Sequence, residues 1–282
     1  MIVDEHAGIA IAWRTYHEFM HAEPLPLRDL LRTLRRSSRS TWHVVHLGAL
    51  ALTLALAPSS YRAPWRAPLA AQMVRAALPL LPWFTLLASI VGLVVIRIVL
   101  VTAESYGLSQ YALGLLVRVL VLELIPLSAA MTVALRVTMP MAAELACLRV
   151  DALARGSLVL DERWLREHMV PRVLAGGFGV LLLAAVSSLL ALVLAYVLAY
   201  GFTPFAFGRF TRLVGQVFDP VISLVFVLKT AALALAVSVV PIASAVQASM
   251  REAGEQQARG AMRLFVLVLA IEIVALAGNY LR

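Results

Sequence analysis

Lys229 is the only lysine among 24 basic side chains, and it stands inside an apolar run, 220–250, that holds no other charge. An ammonium at such a depth costs roughly 2.5–3.5 kcal/mol on insertion scales. It is tolerated when it faces a bundle interior, finds an anion, or touches a polar part of a ligand. Six more charges lie in or near apolar runs: Arg97, Arg118, Glu123, Arg136, Glu144 and Glu272. Arg118 and Glu123 are five apart and do not share a helix face closely, whereas Arg136 and Glu144, two turns apart, do. Two chemistries fit these residues. In one, the charges are structural pairs that pin helices together, the role expected of Arg136, Glu144 and Glu272. In the other, Glu123 and Lys229 line a central cavity and meet a polar headgroup or each other. Arg97 and Arg118 suit snorkelling at the membrane edge.

Signals for other chemistry are missing. No G-x-x-x-x-G-K-[ST] occurs, so no P-loop binds ATP in this chain. There is no H-E-x-x-H and no G-x-S-x-G. His43 and His46 stand three apart at a membrane edge, where solvated histidines are commoner than metal ligands. No catalytic residue, metal or cofactor is therefore assigned to the chain. Cys147 is alone, which rules out an internal disulfide.

These charges must be held by membrane helices. The chain has 282 residues, is 62% hydrophobic and 14% charged, and several of its runs reach the roughly 20 residues that cross a bilayer as helix. The expected fold is an all-α polytopic membrane protein. The net charge of +8 is not read as nucleic-acid binding, because the arginines gather at the edges of apolar runs. Five spans are predicted at about 78–102, 113–148, 173–200, 220–246 and 264–281. Pro126 and Pro140 are expected to kink or extend the second. Gly176, Gly177 and Gly179 should let the third approach its neighbours closely.

The basic segments 28–39, 149–172 and 249–263 point to the cytoplasm, which puts the N-terminus inside and the C-terminus outside. The Phe- and Gly-rich segment 201–219 then lies outside as an interfacial helix. Residues 44–57 are short for a span and basic on both flanks, so they read as an interfacial helix. The first 27 residues lack an apolar signal core, so no cleavable signal is expected. The chain divides into an N-terminal cytoplasmic and interfacial region, 1–77, and a five-helix membrane domain, 78–282.

A family resemblance rests on the second span and the loop after it. Glu123-Leu124-Ile125-Pro126, Arg136, Ala143-Glu144-Leu145 and Val170-Pro171-Arg172 keep the order and spacing of the E-L-G-P, G-R, A-E-[LI]-G and P-R motifs of MlaE/YrbE-type permeases of MCE lipid transport systems. Leu228-Lys229-Thr230, Gly254 with Arg259, and Glu272 match later family positions. The chain resembles that family over roughly 78–282. It departs at Leu122, where the family has arginine, and at Ile125, Leu135 and Ala146, where it has glycine. Residues 149–168 lack the family's T-E-Q and G-x-D-P.

The resemblance implies lipid transport across the bacterial inner membrane. Its partners would be a cytoplasmic ABC ATPase that binds ATP, a periplasmic MCE-domain protein, membrane lipids, and a second permease copy or a paralogue. Lipid chains would lie against Val94, Val95, Ile98, Val101 and Tyr106, with the headgroup at Glu123 and Lys229. Arg149, Asp151, Arg155, Asp161, Glu162 and Arg163 fall in the segment that docks the ATPase; by composition alone the acids Asp151, Asp161, Glu162 and Glu167 are most simply a solvated face or a docking surface. The sequence leaves two other classes open. One is a secondary transporter with proton sites at Glu123 and Glu272, and the other is a membrane scaffold for an MCE complex.

Overall fold

The computed structural model describes residues 46, 48–50, 53, 63–154, 164–246 and 253–280. Among these residues there is no strand, and five helices are long and apolar enough to cross a membrane. We label the helices α1 (Ala63–Ala77), α2 (Leu80–Ser105), α3 (Tyr111–Ala152), α4 (Leu165–Tyr200), α5 (Phe207–Val217), α6 (Pro220–Val246) and α7 (Ala253–Tyr280). The spans match the predicted set, but the helices run beyond the predicted edges. The first apolar span begins at Leu69 because α1 leads into α2 across a single turn at Leu78–Pro79. Of the segment 44–57, His46, Gly48–Leu50 and Thr53 are described and helical, and the rest lies outside the described residues. Gly48 is packed tightly on α6: a Cβ there would sit 2.4 Å from Val239.

The interior is stacked in three apolar layers along the bundle. One layer joins Ile96, Leu116, Leu120, Ala191 and Val217. The next joins Phe84, Val133, Leu183, Leu233 and Val237. The third joins Leu145, Met169, Val173 and Ile242. Residue numbers rise through the layers in α3 and α6 and fall in α2 and α4, as antiparallel neighbours require. α6 packs most extensively on α7 and α3 and nearly as much on α4, and α4 also receives α1 and α2.

Prolines shape the two longest helices. Widened π-helical turns cover Val117–Leu124, Ala134–Thr138 and Leu165–Met169. Each ends two residues before a proline: Pro126, Pro140 and Pro171. A proline in a helix supplies no N–H to the carbonyl four residues earlier and its ring crowds that carbonyl, so the preceding turn opens. Pro126 and Pro140 thus extend α3 as a 42-residue rod instead of breaking it.

Segment 201–219 forms a short 3₁₀ turn, Pro204–Ala206, followed by α5. α5 buries Phe210, whose ring meets Tyr196 and Tyr200 edge-on. Phe202, Phe205 and Phe207 remain exposed.

Small residues set the closest helix approaches. A Cβ on Gly176 would lie 2.6 Å from Thr138 Cγ2 and 3.2 Å from Ser238 Cβ. Thr138 and Ser238 are both buried, so neither can yield cheaply. Gly176→Ala is therefore expected to cost about 1–3 kcal/mol as an overpacked contact between α3, α4 and α6. Gly278→Ala, with nothing within 4 Å of the new methyl, should be neutral. Thermal unfolding of the two variants in detergent checks this, with a lower Tm expected for Gly176→Ala alone.

Candidate functional site

The site forms where α3, α6 and α7 meet. Each helix brings one ionisable side chain inward from an otherwise apolar stretch. Lys229 comes from α6, Glu123 from the π-helical part of α3, and Glu272 from α7. Lys229 Nζ donates to Glu123 Oε2 and, at 2.7 Å, to Glu272 Oε1. A third donation, at 3.4 Å, reaches the Leu122 carbonyl. An ammonium has three donors, and all three find an acceptor here.

The Leu122 carbonyl is available for a local reason. It lies four residues before Pro126, so the N–H that would close an ordinary helical turn on it does not exist. The proline that widens α3 thus frees one of the groups that holds the buried cation. π-helical turns occur often at functional sites for this kind of local rearrangement.

Burial is uneven across the cluster. The Lys229 side chain is 1% exposed, while Glu123 and Glu272 are 13% and 15% exposed. The ammonium is sealed, and the carboxylates form the edge that meets the bundle surface. Glu272 Oε2 is buried with no hydrogen-bond partner among the described residues. The cluster holds two acids against one base.

The structure brings together Glu123 and Lys229, as one of the two sequence readings expected, and adds Glu272, expected as a structural intramembrane charge with no partner assigned. Glu272 is 43 positions from Lys229 on a different helix, and no spacing rule joins them. The available signal was charge: Lys229 is the sole cation in its run, and Glu272 is the sole acid inside the last predicted span.

The other charges are set apart. Arg136 and Glu144 share one face, as their spacing indicates, and line one cavity with Arg75. Glu144 Oε2 lies 4.0 Å from Arg172 Nη2, while Arg172 Nη1 donates to the His168 carbonyl at 2.6 Å. The A-E-L and P-R segments therefore approach each other across α3 and α4.

The apolar residues expected to hold lipid chains behave unequally. Val94, Ile98 and Val101 are exposed on α2 and Tyr106 just past its end, but Val95 packs inward against the layer of Ile96 and Leu116. α2 packs on α4 and on the start of α3, with no extensive contact to α6 or α7. Within one chain this stripe is not brought against the Lys229 cluster. Of the expected docking residues, Arg149 and Asp151 end α3 and both have interaction partners. Arg155, Asp161, Glu162 and Arg163 lie outside the described residues. Among the described residues no group of three His, Cys, Asp or Glu could hold a metal.

A bundle of five membrane helices with a buried three-helix charge cluster defines a polytopic membrane protein built around a polar interior site. The chain belongs to the MlaE permease family, whose description is Permease MlaE and whose match covers residues 69–277. All three members of the cluster and the Arg136–Glu144 face fall within that range. No curated protein matches the chain. Family membership makes it a lipid-transport permease, a transport subunit.

Removing one partner from a buried ion cluster leaves an uncompensated charge, at about 3–5 kcal/mol. Lys229→Met alone is expected to lower stability by that order, because two carboxylates lose their counter-ion. Combining it with Glu123→Gln and Glu272→Gln should recover most of the loss. Chemical or thermal unfolding in detergent reads both, and a triple variant no more stable than Lys229→Met would refute the cluster as the source.

Proposed function

We propose that this chain is the membrane permease of an ATP-driven transporter that moves phospholipid between the bacterial inner membrane and a periplasmic MCE-domain protein. A separate cytoplasmic ABC ATPase supplies the energy and binds the ATP, docking near 149–163. A second permease, identical or paralogous, completes the transport path. The N-terminus lies in the cytoplasm.

The observation that carries this reading is the sealed ammonium held by two partly exposed carboxylates. A phospholipid presents a phosphate and two apolar chains. Its site needs an apolar slot and a cation whose counter-ions can be exchanged. Lys229 is a compact point charge on a flexible stem. With the site empty, Glu123 and Glu272 hold it; with lipid present, the headgroup phosphate replaces one of them. The exposed α2 stripe, Val94, Ile98 and Val101, supplies apolar surface. Because the exposed α2 stripe is not packed against the Lys229 cluster within one chain, the stripe of one copy serves the cluster of the other. Leu122, in place of the family's arginine, makes this a less positive site than the family pattern.

Lipid transport measured with reconstituted complexes tests the reading. Lys229→Ala and Glu123→Ala should each reduce it by roughly tenfold or more. The double variant should lose less than the sum, since both changes break one pair. Normal transport in both single variants would sink the proposal.

One observation favours a second reading, a proton-coupled secondary transporter. Glu272 Oε2 is buried with no hydrogen-bond partner among the described residues; a proton would make it a donor. Transport that persists without an ATPase and stops when the proton gradient is dissipated would select it.

A further inference from the structure

A cavity of about 600 Å³ opens where α1 turns into α2 beside the far end of α3. Arg75, Pro79 and Trp83 form one wall, and Arg136, Pro140 and Glu144 form the other. Arg136, Pro140 and Glu144 follow at intervals of four, so they share one face of α3. Both arginines are exposed, and neither has an ion-pair partner among the described residues. The one acid on the wall, Glu144, leans toward a third arginine, Arg172. The cavity therefore has an excess of guanidinium, the group whose planar fork best matches phosphate.

The cavity is also amphipathic. Trp83 is 63% exposed at its rim, where an indole suits the membrane interface. From Trp83 an exposed stripe continues along α2 through Leu87 and Ile90, at helical spacing. Arg136 is 13 residues from Glu123 along α3, about 20 Å at the usual rise. This is a different place from the Lys229 cluster.

We propose that this cavity is a second lipid site. It holds the phosphate of an anionic phospholipid between Arg75 and Arg136, with the acyl chains laid along Trp83, Leu87 and Ile90. The basic residues before the first span place it at the cytoplasmic leaflet, so it takes lipid from, or returns lipid to, that leaflet. The assignment deepens the lipid-transport reading and rests on it for its purpose, but not for its binding chemistry.

Native mass spectrometry of the full chain, purified with its associated subunits in mild detergent, tests this. Phosphatidylglycerol and phosphatidylcholine are supplied in equal amounts. The wild type should retain phosphatidylglycerol preferentially. Arg75→Gln with Arg136→Gln should lower that retention by roughly tenfold, the scale of a lost charge-assisted hydrogen bond. Arg75→Lys with Arg136→Lys, which keeps the charges and loses the forks, should fall between them. Lys229→Ala is read by the transport assay and the arginine variants by the retention ratio, so failure of the transport reading and failure at the arginine pocket appear in different measurements.

A phosphatidylglycerol with a photoreactive acyl chain, used on the wild type, needs no variant to fold. Adducts within 83–90 support the site. Unchanged retention in the Gln pair, adducts only elsewhere, or displacement of the lipid by excess inorganic phosphate alone would overturn it. The last result would mark a free-phosphate site.

Discussion

The fold depends on a cation that has no water. Lys229 is placed deep in α6, and every donor on its ammonium must be met by protein. Two acceptors come from other helices, Glu123 on α3 and Glu272 on α7, and the third is a carbonyl of α3. Three helices are thereby fixed in rotation and depth relative to one another. Apolar packing alone does not give that precision in a membrane, because lipid tails are as apolar as the side chains they would replace. A buried ion cluster is not strong evidence of net stability, since an apolar substitute of the same shape is often as good.

The remaining architecture accommodates that demand. Pro126 frees the Leu122 carbonyl next to Glu123, so acceptor and carboxylate come from consecutive residues of one widened turn. Pro140 and Pro171 follow the other two π-helical stretches, on the facing ends of α3 and α4 where Glu144 and Arg172 approach. Pro241 in α6 is different, because no widened turn is present in that helix. Gly176 and Gly260 let α4 and α7 approach α6 closely enough for the layers to close, with a Cβ on Gly260 coming 3.1 Å from Ser244 Cβ.

Much of this was legible in the sequence, and the limits have physical causes. Five apolar runs gave five spans, because the bilayer sets a length that hydropathy reads directly. Their edges were missed at Leu69 and Leu165, where helix continues into polar sequence: hydropathy reports the membrane, not the hydrogen bonding of the backbone. Lys229 was conspicuous because its burial is costly, and Glu123 because it stands in a motif. Glu272 was seen as an embedded charge but not as a partner, since pairing between helices depends on their rotation and no sequence interval encodes that. Val95 was grouped with Val94, although adjacent helical residues face about 100° apart, and only the structure shows which of the two turns inward.

The geometry of the cluster also limits how it can work. Its open edge is made of carboxylates, while the ammonium lies behind them at 1% exposure. A group arriving from the bundle surface meets negative charge first, and reaches Lys229 only as Glu123 or Glu272 turns aside. Each carboxylate that leaves must find water, a proton or another cation, because an unpaired carboxylate in an apolar setting is prohibitive. Access to Lys229 is therefore tied to the hydration of the site, and hydration changes when helices part. The same logic does not apply at Arg75 and Arg136, whose guanidiniums are already exposed and need no carboxylate to move. The molecule thus presents one pair of exposed guanidiniums and, about 20 Å along α3, one ammonium sealed behind its carboxylates.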